Sequence, residues 1–257
     1  MTEPALQPAA PIDGRLAELR RIAIVPALNE ETTIAQVIQE LRAFDGGLDV
    51  VVVDDGSTDG TARIAAAHGA RVLRLPFNLG IGSAVQTGFR YAFENGYDVA
   101  VRVDGDGQHD PAQLAALLAP VLNGDADIVV GSRFAAGGPG YRSSRSRRLG
   151  IRILAWVVSR IVGQPVTDTT SGFQALNSRG IALFARDYPH DYPEVEATIM
   201  VFRHSLRLTE VPVSMRERSA GRSSITTLRS IYYMLKVLLA IFVGLFRRNV
   251  IPVEVGE

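Results

Sequence analysis

Residues 50–69 read VVVVDDGSTDGTARIAAAHG. Four consecutive valines form a strand buried on both faces, as the strands of a parallel sheet are. Asp54 and Asp55 close that run, and Gly56 to Gly60 supply turn residues. Thr61 to His68 then read as a helix that stops at Gly69. The unit is a strand, an acidic turn and a helix.

The same unit recurs on both sides. Upstream, Ile22–Pro26 is a short apolar run, and Ile34, Val37, Ile38 and Leu41 mark one helical face. Downstream come a strand at Arg71–Leu75, a helix from Ser83 to Glu94 and a strand at Asp98–Val103. Asp110-Pro111 starts a helix that runs to Leu122, with Asp as N-cap and Pro in the first turn. Asp127–Val130 is the next strand. Alternating strands and helices predict an α/β fold with a doubly wound, mainly parallel sheet.

Ligands of such sheets bind beyond the carboxyl ends of the strands. The polar clusters fall there: Asn29-Glu30, Asp54-Asp55, Asp104-Gly105-Asp106 and Gly131-Ser132-Arg133. Four clusters converging on one rim predict the site. Beyond residue 134 the pattern is less regular. Residues 135–148 read as a Gly-, Ser- and Arg-rich mobile loop, Leu149 to Val162 as a helix, and Asp168 to Phe173 (DTTSGF) as a polar turn. Glu194 to Leu206 reads as a helix and Leu208–Val213 as a strand.

Composition narrows the function classes. The 257 residues are 47% hydrophobic and 21% charged, the balance of a globular chain. Zero formal net charge removes a chain-wide case for nucleic acid. The absence of cysteine removes disulfides, thiolate metal sites and thiol nucleophiles. Met1 to Gly14 is Pro- and Ala-rich without an apolar run, so it reads as a flexible tail and not a signal peptide, and the catalytic part is expected in the cytoplasm.

Ile231 to Phe246 is apolar apart from Lys236, and Arg247 and Arg248 follow it. A helix of that length spans roughly 24 Å, short of the ~20 residues needed to cross a bilayer. It reads as a helix lying in the membrane surface. The alternatives are a core helix or a seam between copies of the chain in a homo-oligomer.

Asp104-Gly-Asp106-Gly-Gln108-His109-Asp110 is the sharpest chemical cluster. Carboxylates two apart can face one site when the intervening Gly lets the chain turn. Hard oxygen ligands suit Mg²⁺ or Mn²⁺ carrying a diphosphate. A calcium loop fails, because His109 and Ala115 stand where Gly and Glu are needed. Asp54-Asp55 offers carboxylates to a ribose or base, whereas Ser57 or Asp59 is expected to cap the next helix. Leu79-Gly80-Ile-Gly82-Ser83 lacks the third glycine and the context of a dinucleotide fingerprint. Arg133, Arg218 and Arg222 are candidate phosphate clamps, and the basic stretch 216–224 also suits anionic lipid headgroups. No G-x-S-x-G hydrolase signature occurs.

Eight stretches in order resemble family 2 glycosyltransferases, in the dolichyl/polyprenyl-phosphate sugar synthase branch. They are VPALNE (25–30), VVVDDGSTDGT (51–61), NLGIGSAVQTG (78–88), VDGDGQHDP (103–111), DIVVGSRF (127–134), DTTSGF (168–173), EVPV (210–213) and RSAGRSS (218–224). The resemblance implies a GT-A, Rossmann-like domain at 21–224. A flexible tail at 1–20 would precede it, and an apolar, basic, membrane-associating helix and tail at 225–257 would follow.

The resemblance also implies roles. Pro26, Leu28 and Glu30 would line the nucleotide, with Val53 and Asp55 at base and ribose. Asp104, Gly105 and Asp106 match the metal and diphosphate motif, with Asp106 and Gln108 as direct ligands of Mg²⁺ or Mn²⁺ and Asp104 on the nucleotide side. Arg133 and Arg218 match phosphate-holding arginines. Ser224 stands where several members carry Lys. The implied reaction is inverting transfer from a UDP- or GDP-linked sugar to polyprenyl phosphate, at the cytoplasmic face of the cell membrane. The alternative acceptor is a sugar hydroxyl of a cell-envelope glycan, which needs a base. Glu196 is the first candidate for that base, with Asp191 and Glu194 behind it. Residues 135–148 would form an acceptor lid. A nucleotidyltransferase would need a Gly- and Lys-bearing signature near the N-terminus, where VPALNE stands instead. A catalytically dead scaffold is disfavoured by the intact Asp104, Asp106 and Gln108.

Overall fold

The computed structural model describes residues 18–135, 145–190, 193–216 and 236, with backbone only at 145–149. The expectations for residues 1–17 and for the C-terminal segment beyond 216, Lys236 aside, lie outside these, as do Arg218, Ser224 and Asp191.

Seven strands form one sheet: β1 (Arg21–Ala27), β2 (Asp49–Asp54), β3 (Arg71–Arg74), β4 (Val99–Arg102), β5 (Ile128–Ser132), β6 (Gln174–Asn177) and β7 (Leu208–Pro212), in the order β3-β2-β1-β4-β6-β5-β7. Pairings β1–β2, β1–β4, β2–β3 and β5–β7 are parallel. β6 runs antiparallel to both β4 and β5. Two reversals cancel, so β5 points the same way as β4 and its carboxyl end reaches the same rim.

The helices are α1 (Ile34–Phe44), α2 (Thr61–Ala67), α3 (Ile81–Glu94), α4 (Leu114–Leu122), α5 (Arg145–Val162), α6 (Ser178–Arg186) and α7 (Pro193–Arg203). Strand alternation sorts the core into two layers. Ala23, Val25, Val50, Val52, Val99 and Val101 pack with α1 and α4 on one face. Ile22, Ile24, Val51, Val53 and Ala100 pack with α3, α6 and α7 on the other. Each buried aliphatic side chain is worth about 1.5–3 kcal/mol, so β2, buried at every residue but Asp49, is held from both sides.

Asp110 accepts the Ala112 N–H at 3.1 Å as the predicted cap, but the turn it starts, Pro111–Gln113, is a 3-10 turn that leads into α4. Two elements were not anticipated, β6 and α6. The boundary at residue 148 also shifts, since residues 145–148 belong to α5 and not to a loop. Asp127 fastens this half of the sheet: its buried carboxylate accepts the Asn177 side-chain amide at the end of β6 and the Arg207 N–H before β7.

Candidate active site

β1, β2 and β4 end on one rim, and their loops close a cavity of about 350 Å³. Its walls include Pro26 near the end of β1, Leu28 and Glu30 after it, Asp55 after β2, Gly80 and Ile81 at the start of α3, and Asp104, Gly105 and Asp106 after β4. Four of these are carboxylates, and none of the described wall residues is Lys, Arg or His.

The loops brace one another. Asn29 adopts a left-handed backbone (φ 55°), donates its N–H to Ser57 Oγ at 2.9 Å, and accepts the Thr58 N–H on its side chain at 2.9 Å. The Glu30 N–H donates to Thr61 Oγ1 at 2.8 Å. Asp59 accepts the Thr61 N–H at 2.9 Å at the start of α2, so Asp59 serves the helix start and Ser57 the β1 loop.

Asp55 is buried, and its two oxygens accept the Leu79 and Gly80 N–H groups at 2.8 and 3.0 Å. This carboxylate folds the glycine loop into the cavity wall. Gly56 permits the approach: it sits at φ +75°, and a Cβ there would lie 2.6 Å from the Phe77 carbonyl carbon. Val53 lies inside β2, fully buried, and does not line the cavity.

The acidic motif is tied to β1. The Gly105 N–H donates to the Pro26 carbonyl at 3.1 Å, and Thr33 Oγ1 donates to the Gly105 carbonyl at 2.8 Å. Asp106 accepts the Gln108 N–H at 3.1 Å across Gly107 (φ +74°). His109 is buried, stacks on Phe173 at 4.8 Å, and accepts the Asp104 N–H on Nδ1 at 3.0 Å. Its proton therefore sits on Nε2, 3.9 Å from Asp104 Oδ2. Burial pushes the imidazole pKa down against the pull of Asp104 and Asp106, which keeps the ring neutral.

Arg102 is the residue that sequence reading missed. It is 1% exposed at the end of β4. Its guanidinium donates to Asp104 Oδ1 at 3.2 Å, to Tyr188 Oη at 3.1 Å and to Glu194 Oε1 at 3.0 Å. Burial opposes its charge, but Asp104, Tyr188 and Glu194 outweigh it and raise the pKa further. The visible signal was a charged residue in the apolar run VAVRV (99–103). Gly172 of the polar turn presses on this pair, where a Cβ would lie 2.7 Å from Arg102 Nη2 and 2.9 Å from Asp104 Oδ2.

Other predicted residues fall elsewhere. Arg133 is buried and bound to Asp168 and Thr170, and it does not line the cavity. Glu196 is half-buried in the first turn of α7, beside Glu194. Ser83 Oγ, at the start of α3, lies 3.2 Å from His190 Nδ1, a contact that was also unforeseen.

The cavity suits a hard divalent ion only in one way. Among the described residues, no three His, Asp or Glu side chains gather at metal distance. Asp104 and Asp106 stand together, with Asp104 tied to Arg102. Magnesium-like ions are held by one or two carboxylates, with water and phosphate oxygens completing the shell. The residues fit Mg²⁺ or Mn²⁺ arriving with a diphosphate, and do not fit an all-protein cage.

Residues 22–184 match the family described as glycosyl transferase family 2. Undecaprenyl-phosphate mannosyltransferase of Micrococcus luteus is 34% identical over 220 residues, 81% of this chain and 88% of that protein. Polyprenol monophosphomannose synthase of Mycolicibacterium smegmatis is 30% identical over 217 residues, 80% of this chain and 81% of that protein. A crystal structure of glucosyl-3-phosphoglycerate synthase from Mycobacterium tuberculosis with Mn²⁺ and UDP-glucose matches with a TM-score of 0.66 and 25% identity, covering 90% of this chain and 80% of that one. With an acidic cavity at the strand ends and relatives of this kind, the chain belongs to glycosyl transferase family 2, in its polyprenyl-phosphate sugar synthase branch, and is a glycosyltransferase.

Proposed function

We propose that the protein transfers a glycosyl group, with inversion, from a UDP- or GDP-linked sugar to the phosphate of a polyprenyl-phosphate lipid at a membrane surface. The carrying observation is the cavity with four carboxylates and no described cationic wall residue. A bare diphosphate would be repelled there, whereas a diphosphate paired with a divalent cation is matched. The relatives' lipid-phosphate acceptors and the Mn²⁺ and UDP-glucose held by the structural neighbour support the same reading.

In this reading Pro26 and Leu28 offer an apolar edge to the nucleotide, and Asp55 sets the glycine loop behind it. Asp104 would face the nucleotide and diphosphate, while Asp106 and Gln108 would hold the metal. When bound, Mg²⁺ or Mn²⁺ supplies neutralisation of the charge that builds on the departing diphosphate. A phosphate oxygen of the acceptor forms the new bond to the anomeric carbon from the face opposite the leaving group. The old carbon–oxygen bond breaks, and its electron pair stays on the nucleoside diphosphate. The attacking oxygen is already anionic, so positioning and charge stabilisation carry the step and no strong base is needed. Arg218 and Ser224 are proposed for phosphate contacts. Arg133 is proposed to act through Asp168 by shaping the turn at 168–173, since its guanidinium is engaged there.

A second reading, transfer to a sugar hydroxyl, rests on Glu196 in the first turn of α7, where it would serve as base.

Contact with a membrane surface is supported by α5. Trp156 is 61% exposed and Ile153 37%. Arg152 and Arg160 join Trp156, Phe134 and Val166 around an open groove of about 820 Å³. An apolar strip flanked by arginines suits an anionic bilayer interface. Among the described residues no helix is long and apolar enough to cross a membrane. A peripheral position at the cytoplasmic face, a catalytic unit at 21–224 and a membrane-associating segment at 225–257 belong to this proposal.

The test is radiolabelled transfer from a panel of UDP- and GDP-sugars to polyprenyl phosphate in detergent, with Mn²⁺ or Mg²⁺ and with Asp106→Ala as control. A metal-dependent, chloroform-soluble product lost in the variant is the expected result. Donor hydrolysis without lipid product would move the acceptor to a glycan. No donor turnover or binding would overturn the reading.

A further inference from the structure

We infer that Arg102 is a positioning residue that joins the donor cavity to helix α7, so that Asp104 and the first turn of α7 move as one unit. The inference rests on the proposed roles of Asp104 and Asp106.

Strand alternation puts Arg102 on the same face of β4 as Ala100. That face packs on the aromatic cluster of Phe89, Phe184 and Tyr188, whose rings lie 4.9–5.9 Å apart. A hydrophobic residue would serve such a layer at least as well as a cation, because a buried ion pair rarely adds net stability. The guanidinium there needs a geometric reason. Its three partners come from three places: Asp104 from the cavity rim, Tyr188 from the segment after α6, and Glu194 from α7. The planar fork of donors fixes direction as well as distance, which a lysine ammonium does not.

Two further observations give the joint its stiffness. Gly172 leaves no room above the pair, since a Cβ there would meet both Arg102 and Asp104 within 3 Å. Glu194 is anchored at the first turn of α7, two residues before Glu196. One cation faces two carboxylates, so any shift of Asp104 as the donor binds is passed through the guanidinium to the first turn of α7.

The test uses the full chain with Glu194→Gln, Arg102→Lys and Arg102→Met. Thermal unfolding, calorimetric binding of UDP or GDP in Mn²⁺, and separate kcat and KM values for donor and acceptor are recorded. A hydrogen bond to a charged group is worth roughly tenfold or more in an equilibrium. Glu194→Gln keeps the Arg102–Asp104 contact but loosens the fork that directs Asp104, so nucleotide affinity should stay within about twofold while kcat falls about tenfold. Arg102→Lys keeps the charge but loses the fork, so nucleotide affinity should weaken about tenfold and kcat should fall as well. Arg102→Met leaves two carboxylates without their cation, and its unfolding would leave the first two variants to decide. A folded Arg102→Lys with wild-type nucleotide affinity and kcat would overturn the inference, as would a Glu194→Gln indistinguishable from wild type. Failure of the wild-type chain to bind nucleotide with Mn²⁺ would instead overturn the donor-site reading, and this inference with it.

Discussion

Arg133 donates to both oxygens of Asp168, at 2.7 and 2.8 Å, with both side chains almost wholly shielded from water. The Arg133 N–H adds a third bond to the same carboxylate at 3.1 Å. This pair closes the end of β5 onto the turn before β6. Removing one member of a buried pair costs about 3–5 kcal/mol, because the other charge is stranded. Arg133→Met should therefore lower unfolding free energy by about that much in urea titration. Lost donor turnover at unchanged stability would instead make Arg133 a direct phosphate ligand.

The same pair predicts a pH dependence. Burial raises the Asp168 pKa, but the hydrogen bonds and charge of Arg133, with the Thr170 N–H, outweigh it and hold the carboxyl below its ordinary value. A depressed folded-state pKa contributes stability above the unfolded value of about 3.9, and that contribution is lost as pH falls through the folded value. Urea midpoints from pH 7 to 3 should drop steeply below about pH 4 in the wild type. In Asp168→Asn they should start lower and fall less. Parallel curves would remove Asp168 from the acid response.

Gly172→Ala should harm chemistry out of proportion to stability. The added methyl would collide with Arg102 Nη2 and Asp104 Oδ2 at under 3 Å. Overpacking of this kind costs about 1–3 kcal/mol in stability. The displaced Asp104 should lower kcat about tenfold or more, since preorganised polar groups lose their value when shifted. Steady-state kinetics beside a melting curve separates the two effects.

Glu196→Gln distinguishes the acceptors. With polyprenyl phosphate the rate should stay within about threefold of wild type, because the nucleophile carries its own charge. With a sugar hydroxyl the rate should fall by about 100-fold or more, the usual contribution of a general base. A large loss with the phosphate acceptor would give Glu196 a different task.

Most elements were legible, α5, α7 and β7 included, and the stretch from β6 to α6 was not, for physical reasons. β1, β2 and β4 are apolar runs followed by acidic turns, and their helices show a clear face, as Ile34, Val37, Ile38 and Leu41 do on α1. Local pattern is enough there because an apolar run and a one-faced helix each declare their burial in their own residues. β6, Gln174–Asn177, begins and ends on a polar residue and offers no apolar run. Only its place between β4 and β5 makes it a strand. The start of α6 did carry a signal, since Asn177 accepts the Gly180 N–H as a cap, but it followed a stretch taken as a polar turn.

The site divides in the same way. The cavity carboxylates were visible because they sit at strand ends in motif spacing. Arg102 was not, because its partners Tyr188 and Glu194 lie far along the chain and leave no periodic trace. Arg133 shows the converse: an arginine at a strand end looks like a phosphate ligand until its tertiary partner Asp168 is known.

The insertion of β6 between β4 and β5 has a consequence for how the protein is made. β1 to β4 occupy residues 21–102 in one continuous stretch, whereas Val99 pairs with Asn177 and Ile128 with Leu208. Contacts between near neighbours in sequence form before those that close long loops. A chain emerging from the ribosome can assemble the β1–β4 half early, but Glu194 does not reach Arg102 until β6 has slotted into place and α7 has followed it. The buried cation then meets Asp104 early and its second counter-charge, Glu194, late. Synthesis at low temperature or with truncation before residue 194 should expose that step as a protease-sensitive intermediate with its β1–β4 half already formed.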